Sequence, residues 1–595
     1  MVKGSNNIDL QQKNVDSKYF YFFQLWQELT DSRTLDSYQF KIMNLLSILE
    51  ETCDVINKFL DGAYKTTHNI DACRIEAISF VNHDIILEKY YKPIQISLLK
   101  ILKTSPKTEH ENKALIYHIN YVLNSIAHNY MNYLVDELDY AINNNDKNCI
   151  QFCTKNILSI LATKGWTTKS LFSKIKILYK SATEDKWTEF KQFLLLETSQ
   201  TYKVYIPVKL HYSEREDINN KIQDLFNNPN LRIRLKTGNE IIDENSTLFK
   251  IIQSEERYVE IEIEAYDLYS AAIKGIKLYS NLLNSLSFFN IIRPWSLNNL
   301  SCIVKNEDNS EKRQFKPYDL YGTYDYFEGA NSLFDLSKSI TGNDKSKICK
   351  KLLSTYSYTN VGRAAYSQEE KFMNIWVALE SLCKTDMCPD IISNILDNVT
   401  PTLCSRYIFS LVRNFSEDCI RCNVDYCFTT KQFEIKNTIK RTLVEDTISI
   451  FNDPSLYHEL EIKCNVNELL LERCKELHTL VSNIDNMIKR VELHYTTVRQ
   501  QLARLYRIRN QIAHTAMDSN RSLILYTEHL YDYLSTFVAE VLNYQKNNNI
   551  DNIPEIFSMI QDNYSAFSNV KTIKDRTCKE RILKNFIKLG IIDLI

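Results

Sequence analysis

An arginine, an asparagine and a histidine lie close together in the segment LARLYRIRNQIAHTA, residues 502–516. The guanidinium of Arg509 is always charged and can hold a phosphate through two hydrogen bonds. An imidazole, such as that of His514, can take up or return a proton near neutral pH. The amide of Asn510 can orient either partner. This trio suits metal-independent RNA cleavage, in which the ribose 2′-hydroxyl attacks the adjacent phosphorus and the 5′-oxygen leaves.

The segment lies in a predicted long helix, roughly residues 486–514, whose apolar residues recur with helical spacing. Between residues 489 and 509 this helix carries six Lys or Arg residues and one acid, Glu492. A locally basic helix in a chain of net charge -2 is a candidate surface for an anion. We therefore predict that Arg499, Arg504 and Arg507 contact RNA.

Helical geometry limits how the trio can act together. Asn510 and His514 are four residues apart and share a face, whereas Arg509 lies about 140° around the axis from His514. Two arrangements would bring the guanidinium and the imidazole to one phosphate. Either the helix frays near Arg509 or His514, or a second subunit completes the site.

Two segments resemble a known family. The R-N-x-x-x-H motif follows an L-Y-x-I-R run and has Ile-Ala before the histidine, which resembles the signature of HEPN ribonucleases, specifically the ApeA-like HEPN family. The upstream segment KFMNIWVALESLCK, residues 371–384, resembles the opening helix of that family, with Trp376 and Glu380 at its typical positions. The resemblance covers roughly residues 366–545.

The resemblance implies a helical bundle that dimerises and joins two R-N-x-x-x-H motifs in one composite site. It also implies a metal-independent endoribonuclease without a cofactor, acting as a toxin or anti-phage effector in abortive infection, on transfer RNA or other RNA. In this reading Arg509 and His514 are the catalytic pair, Asn510 is their polar helper and Glu380 is a supporting acid. The expected partners are RNA, further copies of the chain in a homodimer or larger homo-oligomer, and a phage-encoded trigger.

Two other functions stay open. In the first, the chain is a non-catalytic RNA-binding or adaptor protein, and His514 is structural. In the second, a zinc-dependent nucleic-acid enzyme is built on Cys419, Cys422 and Cys427, whose C-x2-C-x4-C spacing is a weaker candidate for a zinc site. A distant fourth ligand would then come from Cys404, Cys464 or His458.

Composition excludes several enzyme classes. The chain has only 10 Gly residues, and the closest pair, Gly322 and Gly329, is too far apart for a GxGxxG, G-x-S-x-G or GxxxxGK motif. The 15 Cys residues have no small-domain framework, and the first residues are polar with no apolar core. These features predict a cytoplasmic protein with reduced thiols and no membrane span.

The hydrophobic pattern predicts a mainly α protein. We expect a helical domain at 1–200, a small α+β domain at 201–310, a loop-rich connection at 311–365, the HEPN ribonuclease bundle at 366–545 and a helical tail at 546–595. The central domain is inferred from three alternating, β-branched runs: TYKVYIPVKLHY, LRIRLKTG and RYVEIEIEAY. A helix at 268–289 and a further strand near 300–304 complete it. The 365 residues before the bundle are assigned to restraint, sensing or substrate selection.

Overall fold

The computed structural model confirms the predicted fold class, since it is mainly α with one small antiparallel sheet. It describes residues 6–31, 40–64, 67–179, 186–196, 198–208, 232–244, 252–253, 256–288, 301–307, 311–316, 347–365, 367–385, 390–433, 440–515, 523–548, 550 and 552–588. Within these ranges, no helix combines the length and the apolar character needed to cross a bilayer.

The N-terminal part consists of helices. They are α1 (Asn7–Gln12), α2 (Phe20–Thr30), α3 (Leu45–Leu60), α4 (His68–Asn82), α5 (Ile85–Tyr90), α6 (Lys92–Lys103), α7 (Glu109–Asn143), α8 (Lys147–Lys164), α9 (Thr168–Lys174) and α10 (Lys186–Leu194), with short 3-10 turns at Ser17–Tyr19 and Ile175–Leu178. Helix α2 is buried along its whole length. Its Trp26 indole donates a hydrogen bond of 2.7 Å to the carbonyl of Leu171, which ties α2 to α9.

The central sheet contains β1 (Gln200–Val208), β2 (Ile233–Thr237), β3 (Arg257–Ala265), β4 (Cys302–Asn306) and β5 (Lys312–Phe315), in the order β2-β3-β1-β4-β5. Alternate residues of β1 and β3 point into a small apolar core, as period-two burial requires. Helix α12 (Leu268–Phe288) covers that face, and Gly275 lets it approach closely, since a Cβ there would lie 2.9 Å from Val204. A short helix, α11 (Gly238–Glu244), follows β2.

Regular structure extends into residues 311–365, which were predicted to be a loop-rich connection. Strand β5 pairs with β4 from Lys312 to Phe315, and helix α13 (Lys347–Ala364) packs on the next helix with Ile348 and Leu352 buried. The prediction does not hold at these two ends, because tertiary pairing and packing order segments whose own sequence pattern is weak. Residues 317–346 lie outside the described ranges.

The C-terminal part is again helical. It comprises α14 (Gln368–Cys383), α15 (Ile391–Arg421), α16 (Lys440–Phe451), α17 (Pro454–Cys464), α18 (Glu468–Val481), α19 (Ile484–Thr515), α20 (Leu523–Asn548), α21 (Ile553–Ser568) and α22 (Arg576–Lys588), with a 3-10 turn at Val570–Thr572. Helix α19 corresponds to the long helix predicted for 486–514. Residues 516–522, which follow α19, lie outside the described part of the chain.

The N-terminal and C-terminal helices share one hydrophobic core. Buried apolar side chains from Leu10 to Leu194 and from Ile348 to Phe586 form a single continuous cluster, while the sheet has its own smaller cores. A buried ion pair between Glu28 of α2 and Arg473 of α18, at 2.7 Å, crosses the same junction. The segments predicted as separate domains, 1–200 and 366–545, are therefore packed as one body.

Candidate active site

Helix α19 is the element that carries the Arg509, Asn510 and His514 positions. Val498, Leu502 and Leu505 are fully buried, and their three-to-four-residue spacing holds one face of α19 in the core. On α14, the ring of Trp376 lies 5.9 Å from that of Tyr506. The two segments that carry the family resemblance therefore pack directly against each other.

The side chain of Arg509 meets the side chain of Glu380 from α14. Arg509 Nη2 lies 3.8 Å from Glu380 Oε2, and Arg509 Nη1 donates a hydrogen bond of 3.1 Å to Asn510 Oδ1. Glu380 is itself held in place, because the indole Nε1 of Trp376, one helical turn earlier, donates to Glu380 Oε2 at 3.1 Å. Trp376, Glu380, Arg509 and Asn510 thus form one connected group.

The guanidinium of Arg509 keeps hydrogen-bonding capacity for an anion. Its 3.8 Å approach to Glu380 is longer than a hydrogen bond, and its side chain is 27% exposed. Its Nε is buried and finds no hydrogen-bond partner within the described structure. The exposed part of the side chain is available to a phosphate oxygen, whereas the buried Nε is not accessible to a ligand in this conformation.

His514 lies in the last turn of α19, which is helical through Thr515. The side chain of His514 is outside the described part of the structure. Because the backbone is helical from Arg509 to His514, fraying does not bring the two positions together, and they remain about 140° apart around the axis. Completion by a second subunit, the other arrangement considered above, stays a prediction.

The structure corrects the prediction that Arg504 and Arg507 contact RNA. Arg504 is 3% exposed and Arg507 is 6% exposed. Arg504 pairs with Glu51 of α3 at 2.8 Å and with Glu76 of α4 at 2.6 Å, and Arg507 pairs with Glu51 at 2.8 Å. Both guanidinium groups face the N-terminal helices because carboxylates there neutralise them.

Glu51 is the centre of this ion-pair network, which we call the Glu51 latch (Glu51, Glu76, Arg504 and Arg507). Burial alone would raise the pKa of Glu51, but the charges of Arg504 and Arg507 outweigh it and lower the pKa to about 2. The latch thus joins α3 and α4 to the helix that carries the candidate catalytic residues.

Arg499, the third predicted RNA contact, remains at the surface. Its Nη1 lies 3.0 Å from Asp397 Oδ1, and its side chain is 40% exposed. An exposed pair of this kind is weak, so Asp397 does not prevent Arg499 from contacting a phosphate.

The three cysteines of the C-x2-C-x4-C motif do not converge. Cys419 is fully buried in α15 and Cys422 is 6% exposed, whereas Cys427 lies at the surface. Within the described residues, no group of three or more His, Cys, Asp or Glu side chains is arranged to hold a metal ion. Of the candidate fourth ligands, Cys464 contacts Cys419, Cys404 is buried and His458 is exposed. The cysteines are close in sequence because of where α15 ends. Cys419 lies on the core-facing side of its last turn, and Cys422 directly follows the helix.

No family model matches the sequence, and no curated protein or solved structure is significantly similar to it.

Proposed function

We propose that this protein is a metal-independent endoribonuclease of the HEPN type, which cleaves RNA to leave 2′,3′-cyclic phosphate and 5′-hydroxyl ends. One observation carries the proposal. The guanidinium of Arg509 has open donors beside Glu380, in a group that joins the two segments resembling this family. A guanidinium with unsatisfied donors in a half-buried setting is suited to hold a phosphodiester.

The proposed reaction uses two chains. In the composite site, one His514 imidazole accepts the proton of the 2′-hydroxyl, and the oxygen attacks phosphorus. The imidazolium of the other chain's His514 then protonates the leaving 5′-oxygen. Arg509 stabilises the negative charge that develops on the phosphorane oxygens. The C-terminal end of a helix favours a cation, which suits the general-acid role of His514.

We further propose that the protein is a latent cytoplasmic anti-phage effector that acts in abortive infection, with transfer RNA among its candidate substrates. The N-terminal helices contact α19 through the Glu51 latch, which supports a role for them in restraint. A phage-encoded trigger would act by changing that contact.

The test is cleavage of total cellular RNA by purified protein in excess EDTA, with analysis of the product ends. We expect wild-type protein to produce 2′,3′-cyclic phosphate and 5′-hydroxyl ends and the His514→Ala protein, prepared in parallel, to produce none. Cleavage by both proteins would indicate a contaminant or another active site. If neither cleaves, even when co-expressed with candidate phage triggers, but both bind RNA, the chain is an RNA-binding adaptor.

Glu380 is proposed to position Arg509, so Glu380→Gln should lower kcat without unfolding the protein. We expect a loss of about tenfold, which corresponds to about 1.4 kcal/mol of transition-state stabilisation. The matched control is Glu370→Gln, the same substitution at an exposed position in the first turn of α14. Single-turnover cleavage rates would measure the effect. Equal rates for the two variants would show that Glu380 has no positioning role.

A further inference from the structure

Helix α7 exposes a face that carries no charged residue. Residues 114–135 contain no Asp, Glu, Lys or Arg, in a chain that is 25% charged. This face is open to solvent, since Tyr117 and Tyr121 are 79% and 61% exposed and Asn124 and His128 are exposed beside them. The exposed face of a helix ordinarily holds its charges, so a neutral face with large aromatic side chains is typical of an interface.

The exposed residues of this face form a row along the helix, which we call the α7 seam (Tyr117, Tyr121, Asn124 and His128). They recur at intervals of four, three and four positions. This is the spacing of residues that line the contact between two long packed helices. The α7 seam therefore has the geometry that a second helix needs.

Helix α6 widens the surface beside the α7 seam. Ser97 Oγ of α6 lies 3.3 Å from His118 Nε2 of α7, and the neighbouring Ile96 is 60% exposed. The uncharged stretch is about 33 Å long at 1.5 Å per residue, and two adjacent helices are about 20 Å wide. The resulting area is comparable with the roughly 800 Å² per partner that a stable interface buries.

The chemistry of the α7 seam favours a second copy of the same chain as its partner. The phenol, amide and imidazole groups can each donate and accept hydrogen bonds, so they can pair with an identical surface. An RNA-binding surface would need cations, which this stretch lacks. In a two-fold dimer the residues near the axis face their own copies, where like charges would repel and neutral groups do not.

The charges at the two ends of the stretch indicate how the second copy is oriented. Lys113 directly precedes the stretch and Asp136 directly follows it, and both are exposed. In an antiparallel pair centred on the stretch, Lys113 of each copy lies level with Asp136 of the other. In a parallel pair, identical charges would lie side by side. The contact of Lys113 with Glu109 in its own helix, at 2.6 Å, is an exposed pair and leaves Lys113 available.

We propose that this protein self-associates through the α7 seam, with the two α7 helices antiparallel about a two-fold axis. In this register Tyr121 of each copy lies level with His128 of the other, and Asn124 lies beside the axis. Arg509 and Glu380 lie on other helices, and the inference does not rest on the proposed nuclease activity.

The test is sedimentation velocity of the full-length protein over a range of concentrations. We expect wild-type protein to associate and Asn124→Glu to raise the dissociation constant of that association at least about tenfold, because two carboxylates would meet beside the axis. The matched control is Asn281→Glu, the same substitution at an exposed position of α12, which should sediment like wild type.

A charge exchange tests the antiparallel register. Lys113→Glu and Asp136→Lys should each weaken the association about threefold or more, because like charges then lie level with each other. The double variant, Lys113→Glu with Asp136→Lys, should associate like wild type, which would also show that both changes leave the fold intact.

Three results would overturn the proposal. The first is a wild-type protein that is monomeric at every concentration tested. The second is an Asn124→Glu protein that associates as strongly as wild type, and if it also loses RNA binding the surface is assigned to RNA. The third is a double variant that associates more weakly than both single variants, which excludes the antiparallel register.

Discussion

Arg509→Ala and His514→Ala are each expected to lower the RNA cleavage rate by about 10²–10⁴-fold, the range typical of losing a positioned acid–base group or a charge-stabilising donor. Within the described residues, Arg509 has donors without a partner next to Glu380, whereas Arg504 and Arg507 of the same helix are held by Glu51 and cannot replace it. Cleavage rates under single-turnover conditions in EDTA would measure the loss. His458→Ala, a change at an exposed histidine of α17, is the matched control and should cleave at the wild-type rate.

Mixing the two inactive variants tests the composite site. Because α19 is helical through Thr515, Arg509 and His514 of one chain face different directions, and the proposed site takes them from different chains. In an equimolar mixture about half of the dimers contain one chain of each kind, and each such dimer keeps one intact arginine and one intact histidine. After subunit exchange, we expect the mixture to cleave faster than either variant alone but more slowly than wild type, because each mixed dimer has an arginine but only one of the two histidines that the proposed reaction uses. A mixture as inactive as its components would argue against a site completed between subunits.

Helix α19 and the central strands could be predicted because their information is local. The burial of Val498, Leu502 and Leu505 follows from their spacing, and β1 and β3 follow from strict alternation. Strand β5 could not be predicted in the same way, since it depends on pairing with β4. The contact between Arg509 and Glu380 could be expected only from the family resemblance, because the two residues are about 130 positions apart in the sequence.

The burial of Arg504 and Arg507 in ion pairs could not be predicted from the sequence of the basic helix itself. Their partners, Glu51 and Glu76, lie more than 420 residues earlier in the chain. One local signal existed: Glu51 stands three residues after Ile48 and four before Val55, both buried, so a carboxylate lies beside the apolar face of α3. An acid in such a position needs a cationic partner from another element.

The shared core also changes how restraint by the N-terminal helices can be tested. Removing residues 1–365 would expose the apolar surface that the C-terminal helices bury against them. The truncated chain would therefore be expected to misfold, whatever its activity. A point substitution in the Glu51 latch leaves the core in place and is the sharper test.

Glu51→Gln is expected to produce the largest loss of stability of any single change discussed above. The substitution removes the negative charge that Arg504 and Arg507 share, and an uncompensated buried charge costs about 3–5 kcal/mol. Chemical denaturation and thermal melts would measure the loss. The matched control is Glu50→Gln, the same change at the neighbouring, exposed residue, which should stay within about 0.5 kcal/mol of wild type.

The pH dependence of the latch provides the decisive comparison. The pKa of Glu51 is lowered from its ordinary value of 4.5 to about 2, so its ion pairs stabilise the fold fully above pH 4.5 and are lost as the pH falls toward 2. This difference in the pKa of Glu51 corresponds to about 3 kcal/mol of folding stability. Between pH 5 and pH 2, wild-type protein should therefore lose more stability than Glu51→Gln, whose side chain does not titrate. If instead the two proteins lose the same stability between pH 5 and pH 2, Glu51 does not join α3 to α19 through its charge.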